Sequence, residues 1–160
     1  MLDTEVVAAK AGNKEIFVRL IKECEPTMYR IAKALLNKDT DCADAIQETI
    51  LKAYESIHSL REPSFFKTWL IRILINESKR IKLHISKVIP FEEIQPQYQT
   101  VKDEHHYSEI KDMLEFLDDD LRLTVILFYV EDQPLKEIAE VMKVPEGTVK
   151  SRLYLSLIHI

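Results

Sequence analysis

The sequence predicts an all-α protein of two small helical domains joined by a linker, and three observations carry that prediction. Only two glycines and six prolines occur in 160 residues, so long stretches run without a helix breaker. Apolar residues recur at helical spacing through most of the chain. Between Ile85 and Glu104 that period lapses, and Pro90 and Pro96 fall among polar residues. The expected domains are therefore residues 1–84 and 105–160, with residues 85–104 as the linker. A hydrophobic content of 46% beside 31% charged residues suits a folded chain and not a disordered one.

The first helical pattern runs from about Asn13 to Leu36, with Pro26 expected to kink or divide it. Asp41 is the expected N-cap of a second helix, on which Ala43, Ile46, Ile50, Tyr54 and Ile57 form one apolar stripe. Its opposite face shows Asp44, Gln47, Glu48 and Lys52. Leu60 to Pro63 breaks the pattern, and Ser64 is the expected cap of a third helix from Phe65 to about His84. Three helices thus make up the first domain. Beyond the linker, helices are expected at about His105–Leu117, Asp119–Val130 and Leu135–Met142, with a last one opening at Pro145.

The net charge of −5 is unevenly spread. Residues 64–87 carry six basic side chains and one acidic, whereas residues 88–120 carry two basic and ten acidic. Local charge and not the total decides where a polyanion docks, so the basic block is a candidate nucleic-acid surface. No run approaches the roughly 20 apolar residues of a membrane-spanning helix, and no signal-peptide pattern opens the chain. Cys24 and Cys42 lack metal-ligand spacing, which suits a reduced cytoplasmic protein with two incidental thiols.

Leu135 to Tyr154 reads as a helix-turn-helix. Ala139 supplies the small side chain that a crossing helix needs, and Val144-Pro145 ends the first helix. Val149 and Leu153 give the second helix a buried edge. Thr148, Lys150, Ser151 and Arg152 are then expected to point outward, toward base edges and phosphates of a major groove. Lys143 stands where such a turn favours glycine, which accepts left-handed backbone without strain.

The stretch from Asp41 to Tyr54, with Asp44, Gln47 and Glu48 in one cluster, is followed by Phe65-Phe66-Lys67-Thr68-Trp69 and on to Asn76. This acidic–amide helix and aromatic–basic helix resemble region two of bacterial RNA polymerase sigma factors. Glu137-Ile138-Ala139 and Gly147 to Leu153 resemble region four. Both in this order, with a short linker and no domain between, resemble the extracytoplasmic-function group over nearly the whole chain. The resemblance implies a non-catalytic initiation factor that directs RNA polymerase to specific promoters, often in stress responses. It implies core polymerase and promoter DNA as partners, an anti-sigma factor as regulator, and no small-molecule substrate or direct membrane insertion.

Residue roles follow from that resemblance. Asp44, Gln47 and Glu48 share a face suited to a basic partner helix and would dock on the polymerase clamp. Lys67, Trp69, Arg72, Asn76, Lys79 and Arg80 would capture the melted minus-ten strand, because unstacked bases need π surfaces and their phosphates need cations. Thr148, Lys150, Ser151 and Arg152 would read the minus-thirty-five element. The acidic linker would screen basic DNA-binding surfaces in an inhibited state. Opening a promoter takes binding energy and no bond chemistry, so catalytic residues, cofactors and metals are not expected.

Three other readings were open at this level, one of them a pure interaction module that binds polymerase without DNA. A one-component regulator would share the helix-turn-helix but leave the Asp44–Glu48 face and the Phe65–Arg72 block without a role. A metal enzyme would rest on His105-His106 beside Asp103 and Glu104, yet adjacent histidines cannot share one site on a helix. The last six residues, Leu155-Ser-Leu-Ile-His-Ile160, hold no arginine or lysine where a recognition helix would continue basic. They fit either core packing or foreign sequence, since CTG TCT CTT ATA CAC ATC, the end of a transposon-derived sequencing adapter, encodes them. The expectation is a truncated region four that diverges after Tyr154.

Overall fold

The computed structural model describes residues 3–88, 114 and 117–159. The chain divides into two units, residues 1–88 and 89–160. Helices form the regular structure of both, and no strand occurs among the described residues.

The first unit holds four α-helices where three were expected: α1 (Asp3–Lys10), α2 (Lys14–Leu35), α3 (Asp39–Ser56) and α4 (Phe66–Val88). Helix α1 is too short for its period to stand out, because it buries only Val6 and Ala9. Asn13 caps α2, its side chain accepting a hydrogen bond from the Ile16 amide at 3.2 Å. Pro26 lies inside α2 and does not divide it. Leu20, Cys24, Met28 and Ile31 are all buried on both sides of the proline, so tertiary burial carries the helix past the missing amide.

Helix α3 starts two residues before the expected cap. Lys38 and not Asp41 holds the N-cap position, with no side-chain cap bond. Asp39 and Asp41 fall in the first turn, where carboxylates face the positive end of the helix dipole. The buried face is also different from the expected stripe. Cys42, Ala45, Thr49 and Ala53 are fully buried, whereas of Ala43, Ile46, Ile50, Tyr54 and Ile57 only Ile57 lies in the core, at 6% exposure. Small side chains let α3 approach its neighbours closely, which turns the larger apolar residues outward.

A 3₁₀ turn at Ile57–Ser59 ends α3, and a second at Pro63–Phe65 leads into α4. Ser64 therefore sits within a turn and caps nothing; Glu62 holds the N-cap position of that turn. Helix α4 continues to Val88, four residues beyond the expected domain end at residue 84.

The second unit contains α5 (Asp119–Val125), α6 (Leu135–Met142) and α7 (Glu146–His159). Asp118 caps α5 through the Leu121 amide at 2.9 Å, and a π-helical turn, Ile126–Val130, extends it. Helix α6 has the bounds expected of it. Lys143 ends it in left-handed backbone at φ 58° and ψ 43°. Its amide reaches the Glu140 carbonyl at 3.3 Å and the Val144 amide reaches that of Ala139 at 3.0 Å, the paired bonds of a Schellman motif. Helix α7 opens at Glu146, one residue after the expected Pro145. The helix expected at 105–117 and the His105–His106 pair lie outside the described residues, apart from buried Leu114 and Leu117. In the last turns of α7, Leu155 and Leu157 are exposed and Ser156 is buried, so these two leucines do not pack in a core.

Candidate functional site

The large apolar residues displaced from the α3 core line an open groove with α2. Tyr29 and Glu25 come from α2; Asp39, Ala43, Ile46, Gln47, Ile50 and Leu51 come from α3, around a volume of about 570 Å³. Leu51 is 52% exposed and Tyr29 43%, a large apolar surface for residues of this type to leave in water. Lys33, almost wholly buried, donates to Asp39 Oδ1 at 2.6 Å and to the Asn37 carbonyl at 3.2 Å. The Tyr29 hydroxyl donates to the same Asp39 oxygen at 3.0 Å, which fixes the ring at the groove edge. Of the residues expected to dock a partner, Asp44 and Gln47 are exposed and Glu48 is half-buried. Gln47 also lines the groove, so polar cluster and apolar surface adjoin. Sequence reading missed Glu25, Tyr29, Asp39 and Leu51; the apolar stripe was the available signal, assigned to the core instead.

On α4, Arg72, Asn76, Lys79 and Arg80 are exposed and their spacing of four, three and one places them on one side of the helix. Exposed Phe65 and half-buried Trp69 continue that side toward the helix start. Phe66 does not belong to it. Its ring is fully buried, 5.9 Å from that of Trp69 at an interplanar angle of 44°. Lys67 also departs from the expected group. Five residues before Arg72, it lies about 140° round the helix. It is half-buried on the side of Cys24, whose thiol burial pushes up to about 11 against the opposing pull of the Lys67 charge.

Arg80 is not a lone cation. Its Nε donates to Glu77 Oε2 at 3.0 Å, Nη2 forms an ion pair with the same oxygen at 2.9 Å, and Lys52 of α3 donates to Glu77 Oε1. The Glu77 side chain is only 5% exposed. Burial alone would raise its carboxyl, but the Lys52 and Arg80 cations outweigh burial and hold it below its ordinary value. Glu77 is the lone acid of the basic block 64–87, a signal that was present in the sequence and went unused.

On α7, the four expected contact residues are not equivalent. Lys150 and Ser151 are exposed, and the Ser151 hydroxyl donates back to the Gly147 carbonyl at 3.0 Å. Thr148 is half-buried. Arg152 does not point outward as expected: its side chain is 21% exposed, with Nη2 4.0 Å from Asp120 of α5 and Nη1 buried without a hydrogen-bond partner. Packing of α5 against α7 draws Arg152 inward, because the acidic N-terminus of α5 supplies its counter-charge.

Family comparison matches residues 20–84 to Sigma-70 region 2 and residues 107–160 to Sigma-70, region 4. The chain is 30% identical over 151 residues to the RNA polymerase sigma factor SigV of Bacillus subtilis, spanning 92% of this chain and 90% of that one. It is 29% identical over 166 residues to the ECF RNA polymerase sigma-E factor of Haemophilus influenzae, spanning 93% and 87% respectively. The chain belongs to the extracytoplasmic-function sigma factors.

As such it directs RNA polymerase in transcription initiation. The region 2 match spans both the groove and the basic helix, which removes the reading of the N-terminal half as a sensor domain. The fold of this sigma factor is also that of solved relatives. CnrH, in complex with the cytosolic domain of CnrY, superposes with a TM-score of 0.76 at 18% identity, covering 98% of this chain and 92% of that one. The Bartonella quintana sigma factor RpoE, in complex with the anti-sigma factor NepR, gives 0.72 at 23% identity, covering 89% and 92%. Among the described residues of this sigma factor no helix is long and apolar enough to cross a membrane.

Proposed function

We propose that this sigma factor docks on core RNA polymerase through the α2–α3 groove and the adjoining Asp44, Gln47 and Glu48. The observation that carries this reading is the row of large apolar residues that α3 leaves outside the core beside an acidic rim. An amphipathic basic helix suits such a surface, with side chains for the groove and cations for Glu25, Asp44 and Glu48. Residues 1–84 act as region two and residues 105–160 as region four. Trp69, Arg72, Asn76 and Lys79 on α4 hold the unpaired minus-ten strand, with Lys67 behind them, while Arg80 is held by Glu77. Lys150, Ser151 and Thr148 on α7 meet the minus-thirty-five element, and Arg152 steadies that helix from within.

The chain works by binding, without a catalytic centre or cofactor, in the cytoplasm where polymerase and promoters are. An anti-sigma protein holds it inactive, a reading supported by the complex that the relative RpoE forms with the anti-sigma factor NepR. Transcription reconstituted from core polymerase, this protein and a promoter library tests the whole reading. Promoter-specific transcripts that depend on the protein are expected, and their absence together with no binding to core polymerase would overturn it.

A further inference from the structure

Residues 64–87 hold six cations and one acid, and that acid is buried. A buried carboxylate must keep a counter-charge, because an unpaired charge in the interior is far costlier than a paired one. Glu77 meets this need with two cations from two helices, Lys52 on α3 and Arg80 on α4. Arg80 spends both Nε and Nη2 on a single oxygen of Glu77, although 61% of its side chain is exposed. Lys52 is 46% exposed and occupies the other oxygen. Both cations are therefore within reach of solvent but committed to a group that solvent does not reach. The exposed neighbour Lys79 stands one residue before Arg80 on the same basic helix.

From this we infer that Glu77 is a specificity-determining residue, which withholds Arg80 and Lys52 from DNA phosphates and so limits sequence-independent binding by α4. The inference rests on the proposed DNA-facing role of α4. Contacts to phosphate carry no sequence information, and each one adds affinity for every DNA alike. A basic helix that engaged phosphate with all its cations would bind non-promoter DNA at the expense of discrimination. Glu77 keeps the block folded as a basic surface while removing one of its charges, Arg80, and the neighbouring Lys52 of α3 from that competition. The Lys52–Glu77 pair joins α3 to α4, so the restraint is anchored in the helix that lines the groove.

The test is the salt dependence of binding by the full chain to a non-promoter duplex between 50 and 200 mM NaCl. Each phosphate contact contributes a slope of about 0.9 in log affinity against log salt. Arg80→Ala is expected to leave the wild-type slope unchanged. Glu77→Gln is expected to steepen it by about 0.9 for each cation released, and adding Arg80→Ala to Glu77→Gln should remove the Arg80 share. A flatter slope for Arg80→Ala alone, or an unchanged slope for folded Glu77→Gln, overturns the inference. Arg80 is mostly exposed, so its single variant decides the matter even where Glu77→Gln does not fold. Lys79→Ala separates the two levels: its slope is expected to flatten. If it flattens along with Arg80→Ala, the withholding fails and the DNA-facing role stands; if it does not flatten, that role fails and the inference with it.

Discussion

Asp39, at the first turn of α3, receives the ammonium of Lys33 from α2 at 2.6 Å, and the two side chains differ sharply in exposure, 60% against 5%. The buried partner depends on the exposed one. Asp39→Ala leaves the Lys33 ammonium with the Asn37 carbonyl at 3.2 Å, and is expected to destabilise the protein by about 1–3 kcal/mol. Lys33→Met removes the buried charge itself and is expected to stay within about 1 kcal/mol of wild type. Urea denaturation of both variants checks the asymmetry; equal losses would show that the ion pair, and not the burial of Lys33, sets the energy.

The groove gives a second prediction. Leu51 is exposed, so Leu51→Asp should leave helical content and melting unchanged while weakening binding to core polymerase at least tenfold, about 1.4 kcal/mol. The double variant Glu48→Lys with Gln47→Ala is expected to lose a similar factor by charge reversal at the rim. Titration against core polymerase reads both. Wild-type affinity in both would remove this surface from the docking site.

Glu77 makes stability depend on pH in a defined direction. Its carboxyl lies below the ordinary value of 4.5 in the folded state, held there by Lys52 and Arg80 against the cost of burial. A group lowered on folding contributes stability that is fully present above the unfolded value and is lost as pH falls through the folded one. The stability difference between wild type and Glu77→Gln is therefore expected to be largest near neutral pH and to shrink below 4.5. Denaturation midpoints of the two proteins from pH 7 down to pH 3 measure it. A difference that grows on acidification would contradict the ion-pair assignment.

The helix-turn-helix carries its own strained residue. Lys143 adopts left-handed backbone that costs a residue with a Cβ roughly 1–2 kcal/mol, whereas glycine adopts it freely. Part of that gain is offset by the greater freedom of glycine in the unfolded chain. Lys143→Gly is expected to stabilise the second unit by about 0.5–1 kcal/mol and raise its melting temperature. Because Lys143 is exposed, a lower melting temperature would mean that its side chain holds the turn in a way the backbone does not reveal.

The sequence by itself determined the helical class, the family and the order of its two regions. Helical period, the scarcity of glycine and proline, and the motifs around Gln47, Trp69 and Val149 are local features, and each survives reading one segment at a time. It also located the basic block and the left-handed turn at Lys143, since charge and a missing glycine are visible without partners. Only the tertiary structure decided which apolar face of α3 is core. Cys42, Ala45, Thr49 and Ala53 and the larger stripe of Ala43, Ile46, Ile50 and Tyr54 are both helical in period. Burial goes to the small side chains because they let helices approach, a property of neighbours that periodicity does not contain. The same reason separates Lys67 and Arg152 from the exposed cations and assigns Arg80 to Glu77. A charge in sequence is only a charge, and whether it faces DNA or a buried carboxylate depends on which helices pack beside it.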